Sequence, residues 1–166
     1  RGNTSLPKVT LEEHGDPEYK ALPWYWVQDG EVNQRVRKEK NWFIAFRNVT
    51  NTSNERTGIF SILPYCGIGH SSPIIHFDFG LNIEKLIFVG LFNSILFDYV
   101  IRQKLGGINF TFFIFKQLPS LNRDDFSEQN RDIILPRVIE LTYTAWDLEP
   151  FAQDVLSEIG PDTWNH

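Results

Sequence analysis

Hydrophobic positions are spread unevenly along this chain, and their densest part lies between residues 42 and 116. Residues 42–46, WFIAF, make an unbroken apolar run of strand length that turns polar at Arg47-Asn48-Val49-Thr50. The next segment, NTSNERT at 51–57, holds almost nothing that can be buried, so it reads as a loop or hairpin end. A strand resumes at 59–63, IFSIL. From Asn82, an N-cap residue followed by Glu84 in the first turn, a helix is predicted to run to Leu105, where Gly106-Gly107 stops it. Its stretch LIFVGLFNSILFDYVI is apolar nearly all round and needs protein on most of its surface. Within it, Asn93 and Ser94 are expected to bond to a backbone carbonyl or a neighbouring strand. Residues 108–115, INFTFFIF, predict a closing strand. A helix over 131–146 follows, with Ile134, Val138, Leu141 and Ala145 on one face and Pro136 in its first turns. A last helix, with its N-terminus at Asp147-Leu148-Glu149-Pro150 and Pro150 early in it, reaches about Ile159 before Gly160-Pro161 ends it.

The N-terminal part is less regular. Residues 1–23 mix Gly2, Pro7, Gly15, Pro17 and Pro23 with scattered charges and read as an irregular lead-in. Trp24-Tyr25-Trp26-Val27 favours a strand and is expected to pack as core, with stacking on an unpaired base as the alternative. Asp29-Gly30 then turns the chain. Residues 32–40, with Arg35, Arg37, Lys38 and Lys40, read as a strand edge or short helix, either simply solvated or in contact with phosphates. The whole predicts an α+β fold: a curved, mainly antiparallel sheet packed on one long buried helix, with a helical C-terminal appendage. The expected divisions are a lead-in at 1–23, an α/β module at 24–122 and an acidic helical segment at 123–166.

Composition narrows the function classes. The chain has 166 residues, 42% of them hydrophobic, enough to bury one core. The apolar run 86–101 is interrupted by Gly90, Asn93, Ser94 and Asp98 and falls short of the roughly 20 residues a membrane span needs. A single cysteine, Cys66, excludes an internal disulfide framework and fits a reducing, cytoplasmic compartment. The Asn-x-Ser/Thr triplets at Asn3, Asn48, Asn51 and Asn109 are then chance occurrences. A start at Arg1 with no methionine leads us to expect a piece of a longer polypeptide. Net charge is −5, but residues 1–30 carry −2, 31–123 carry +5 and 124–166 carry −8. A central module that meets a polyanion, beside an acidic segment that does not, accounts for this asymmetry.

The candidate chemistry is mostly negative. Asp16 with Glu18-Tyr19-Lys20 is similar to the acidic-x-Lys triplet of metal-dependent nucleases, yet no strand context surrounds it. Cys66, His70 and His76 offer three zinc donors without a fourth at a recognised spacing. Gly67-x-Gly69 lacks the third glycine and the following amphipathic helix of a phosphate loop. What remains is the polar 51–57 loop, whose arginine, asparagine and glutamate side chains match guanine, adenine and cytosine edges, although asparagine and serine also simply make turns.

The runs WFIAFRNVTNTSNERT, ILPYCGIGH, LFNSILFDYVIRQKLGG, NFTFFIFKQLP and ILPRVIELTYTAWDLEPFA occur in this order and cover most of residues 42–152. They resemble the TaqI-like C-terminal specificity, or target-recognition, domain of type IIG restriction-modification enzymes and adenine-N6 DNA methyltransferases. The Leu-Phe-Asn-Ser helix, the Gly-Gly pair and the closing Lys-Gln-Leu-Pro are also similar to the repeating pattern of type I specificity subunits. The resemblance implies a chain that reads double-stranded DNA for an upstream methyltransferase domain, in a prokaryotic cytoplasm. It favours Arg47, Asn51, Asn54, Arg56 and Thr57 as DNA-facing, with Lys116, Arg102 and Lys104 as further phosphate contacts. The Asn/Asp-Pro-Pro-Tyr/Phe motif of the methyltransferases is missing, as is a glycine-rich turn for a methyl donor. The chain is therefore expected to bind no cofactor and to be catalytically silent, with S-adenosylmethionine belonging to the parent enzyme. The alternative is a protein-protein interaction module in which the acidic C-terminal helices join subunits or domains. A small hydrolase or nuclease using Glu18 and Lys20, or Cys66 and His70, is the third possibility.

Overall fold

Three short strands carry the sheet. In the computed structural model, which describes residues 8–20, 25–36, 40–78, 80–119 and 125–160, these are β1 (Trp42–Phe46), β2 (Phe60–Pro64) and β3 (Ile74–Ile75). Their order is β2-β1-β3, and β1 is antiparallel to both neighbours, with Ile44 opposite Ile62 on one side and Ile75 on the other. All five β1 residues are buried, as an apolar run without alternation requires of a central strand. Seven helices complete the described fold: α1 (Leu11–Gly15), α2 (Asp29–Arg35), α3 (Asn82–Phe92), α4 (Ile95–Lys104), α5 (Phe112–Phe115), α6 (Glu128–Thr142) and α7 (Glu149–Ile159). A 3-10 turn, Trp146–Leu148, joins the last two. The α+β class and the antiparallel sheet expected from sequence are both present. Among the described residues no helix is long and apolar enough to cross a membrane.

The single long helix is in fact two. Asn93 ends α3, and the Ser94 hydroxyl caps α4 by accepting from the Phe97 N–H at 3.3 Å. The break lets the Asn93 carboxamide face the edge of β2, where it accepts from the Phe60 N–H at 3.0 Å and donates to the Phe60 carbonyl at 2.8 Å. Asn93 also donates to the Val89 carbonyl, so its expected structural role holds. The predicted strand over 108–115 shrinks to one bridge, Val49 with Asn109, before Thr111 leads into α5. That turn of helix lets Phe112 and Phe115 both reach Phe46, which a flat strand with alternating faces would not allow.

Other boundaries move for local reasons. Thr10 and Glu13 form a reciprocal capping box that makes α1 within the lead-in. Asp29-Gly30 opens α2 rather than a turn, and Lys40 lies beyond that helix. Tyr25 and Trp26 are 85% and 79% exposed, against the expectation of core packing. Ser127 caps α6, so Pro136 stands in mid-helix and not in its first turns. Trp24, Arg37 and Lys38, with residues 1–7 of the lead-in and the tail after Gly160, lie outside the described residues.

The C-terminal helices are not an appendage. Leu135, Val138 and Ile139 of α6 and Phe151 and Val155 of α7 share one core with Trp42 and Ile44 of β1 and Leu86 and Val89 of α3. Gly90 allows α3 and α6 to approach, since a Cβ there would lie 2.6 Å from Val138 Cγ2. Helix α7 also closes the start of α3. The Glu158 carboxylate accepts from the Asn82 and Ile83 N–H groups at 2.9 and 3.1 Å, satisfying donors that a helix leaves unpaired at its N-terminus. Asp154 accepts from Trp42 Nε1 at 2.9 Å and pairs with Lys40 at 3.0 Å. A second core, built from Phe46, Phe60, Phe92, Phe97, Phe110 and aliphatic neighbours, joins the sheet to α4 and α5. The two cores meet along α3 and hold both ends of β1, leaving the 50–58 loop to emerge over α4.

Candidate functional site

The loop between β1 and β2 is pinned from below and from within. Asp98 is the only acidic residue in the apolar stretch 86–101, and its side chain is 7% exposed. One carboxylate oxygen accepts from the Thr57 and Gly58 N–H groups at 2.7 and 2.8 Å. The other accepts from Arg102 Nε at 2.7 Å, one helical turn along α4. The two terminal nitrogens of Arg102 donate to three loop carbonyls: Thr52 at 2.6 Å, Asn54 at 2.9 Å and Glu55 at 2.7 Å. Burial alone would raise the Asp98 pKa. The N–H groups of Gly58 and Thr57, together with the hydrogen bond and charge of Arg102, outweigh burial and hold it below the usual carboxylate range. Asp98 is therefore an anion at neutral pH, and the planar arginine fork gives it one N–H, from Nε, while its terminal nitrogens span the loop carbonyls.

Inside the loop, the Thr50 hydroxyl donates to the Thr57 carbonyl at 2.8 Å and accepts from Arg47 and Asn54. Arg47 also donates to the Arg56 carbonyl at 2.6 Å. The Asn51 side-chain oxygen accepts from the backbone and hydroxyl of Ser53, forming a local turn. Arg56 donates to the Asn93 carbonyl and stands 3.7 Å from the Asp98 carboxylate.

This geometry divides the eight sequence candidates. Thr57 is fully buried, with its hydroxyl donating to the Asn51 carbonyl, so the expectation that it faces DNA is corrected. Arg102 is the loop's internal brace, and Arg47 and Arg56 each give donors to loop or helix carbonyls, which makes these three structural before they are anything else. Asn51 is exposed at the tip, while Asn54 is half-buried and bonded to Thr50. Lys104 at the end of α4 and Lys116 after α5 are exposed. Glu55, the loop's match for a cytosine edge, is also exposed, as are Thr52 and Ser53, which are not among the named sequence candidates. By composition alone Asp98 is an interruption of the apolar run. Its signal was legible: an acid four residues before an arginine on a helix otherwise without charges between residues 86 and 101.

The remaining candidates are not drawn together. Asp16 accepts from the Glu18 N–H at 2.9 Å in a turn, not on a strand. Cys66 is exposed as a residue, yet partial desolvation of its sulfur, followed by the charge of Asp147, pushes the thiol pKa up, away from a reactive thiolate. Among the described residues, no group of three or more His, Cys, Asp or Glu side chains is placed to hold a metal ion. Compared with protein-family models, with curated proteins and with solved structures, the chain finds no match in any of the three.

Proposed function

We propose that the chain is a DNA target-recognition module, non-catalytic by itself, that serves a larger adenine-N6 methyltransferase or restriction-modification enzyme whose methyl donor binds elsewhere in the polypeptide. The observation that carries this reading is the 50–58 loop. Its backbone is fixed by Asp98 and Arg102, while Asn51, Thr52, Ser53 and Glu55 stand exposed with donors and acceptors suited to base edges. A loop ordered before binding loses little conformational entropy on meeting a duplex, which favours sequence readout over loose phosphate contact. Lys104 and Lys116 supply the phosphate contacts that fix register, and the likeness of the five sequence runs to target-recognition domains supports the same assignment. The test is selection of randomised duplexes on the purified chain. Enrichment of one short sequence, lost in Asn51→Ala with Glu55→Ala, is expected; equal recovery of all sequences would refute the reading.

A second reading rests on a different surface. Ile95, Leu96 and Tyr99 are exposed along one side of α4, with Ile95 at 81%. An apolar stripe of this kind fits a module that joins protein domains. Leu96→Glu would then abolish assembly with the partner domain and leave duplex selection intact.

A further inference from the structure

We infer that Asp98 and Arg102 are positioning residues that set the sequence preference of the 50–58 loop without touching DNA themselves. The inference deepens the target-recognition reading and rests on it. Asp98 sits at the base of the loop and fixes its return limb through the Thr57 and Gly58 N–H groups. Arg102 fixes its tip through the carbonyls of Thr52, Asn54 and Glu55. The carboxylate orients the guanidinium at 2.7 Å, so the height of the tip above α4 is set by one acid and one base on consecutive turns of a helix whose Phe97 and Ile101 are anchored in the phenylalanine core. Asn51, Thr52, Ser53 and Glu55 hang from the carbonyls and turns that this pair holds. A displacement of about 1 Å there is enough to spoil contacts that must align within hydrogen-bond tolerance. Four of the five guanidinium N–H donors point inward, one from Nε, one from Nη1 and two from Nη2, so Arg102 keeps little capacity for a phosphate.

Two variants separate positioning from folding and from charge. Arg102→Lys keeps the cation but replaces the planar fork with a single nitrogen that cannot span Asp98 and three carbonyls. Asp98→Ala removes both carboxylate oxygens, so the Thr57 and Gly58 N–H groups lose their shared acceptor and Arg102 its counter-charge. The measurements are amide hydrogen exchange at Thr57 and Gly58, with Ile44 and Ile62 as controls for the sheet, and affinity for the duplex selected by the wild-type chain against a scrambled duplex. In Arg102→Lys we expect preference for the selected duplex to fall at least tenfold and affinity for the scrambled duplex to stay within about twofold, with the sheet amides still protected. In Asp98→Ala we expect exchange at Thr57 and Gly58 to rise at least tenfold over the same controls. An Arg102→Lys chain that keeps its full preference overturns the positioning role, as does an Asp98→Ala chain whose Thr57 and Gly58 amides stay protected. A wild-type chain that prefers no duplex overturns the target-recognition reading instead, and the exchange result then judges the brace by itself.

Discussion

The Asp98 carboxylate and the Arg102 guanidinium meet at 2.7 Å across one turn of α4, and between them they hold five backbone groups of the loop that connects β1 to β2. Removing the acid strands the Thr57 and Gly58 N–H groups and leaves Arg102 without its counter-charge. Asp98→Ala should therefore destabilise the fold by about 3 kcal/mol, in the range for breaking one partner of a shielded ion pair. Urea unfolding with unchanged slope would measure it.

The same carboxylate gives a sign for the pH dependence. Its pKa in the folded chain lies below the ordinary value of about 3.9, so its contribution to stability is fully present above that value and is lost as pH falls through the folded one. The stability gap between wild type and Asp98→Asn should be constant from pH 7 to about 5 and shrink progressively below pH 4, read by denaturant midpoints at each pH.

Gly90 and Val138 test the seam between α3 and α6. Gly90→Ala should cost about 1 to 2 kcal/mol, because the new methyl would meet Val138 Cγ2 at 2.6 Å and the crowding outweighs the better helix preference of alanine. Adding Val138→Ala should recover part of that loss. A double-mutant cycle with a coupling of at least about 0.5 kcal/mol is the expected result.

Glu158 reaches from α7 to the first turn of α3. Glu158→Ala should cost about 1 kcal/mol and speed exchange at the Asn82 and Ile83 amides, since both lose their acceptor. Thermal unfolding and amide exchange together would show whether the loss is local to that end of α3.

For DNA binding, the prediction concerns salt. Lys104→Ala with Lys116→Ala should lower the slope of log affinity against log salt by roughly 2, at about 0.9 per phosphate contact, and leave the preferred sequence unchanged. Anisotropy titrations at several salt concentrations would check both parts.

Much of the framework was legible in the chain. The apolar run at 42–46 announced a buried strand, and Ile134 and Val138 announced a helix that packs, although Leu141 of the same expected face is 79% exposed and Ala145 lies past the end of α6. What periodicity could not reveal was the break at Asn93-Ser94, because two short helices with a capping serine carry the same apolar pattern as one long helix. β propensity makes the phenylalanines of 108–115 a strand, whereas contact with Phe46 and Phe60 decides for a turn of helix. For the site, residue type located the loop, but which of its cations face outward depends on Asp98, 41 residues beyond Thr57, a distance that no local pattern spans.

The carboxamide of Asn93 has a consequence for how the molecule meets its own copies. β2 lies at the border of a three-stranded sheet, where unpaired peptide groups ordinarily invite another chain to add itself. At Phe60 both of those groups are already occupied by the Asn93 side chain, and the strand is only five residues long. The junction that interrupts the helix thus doubles as a guard against edge-to-edge aggregation.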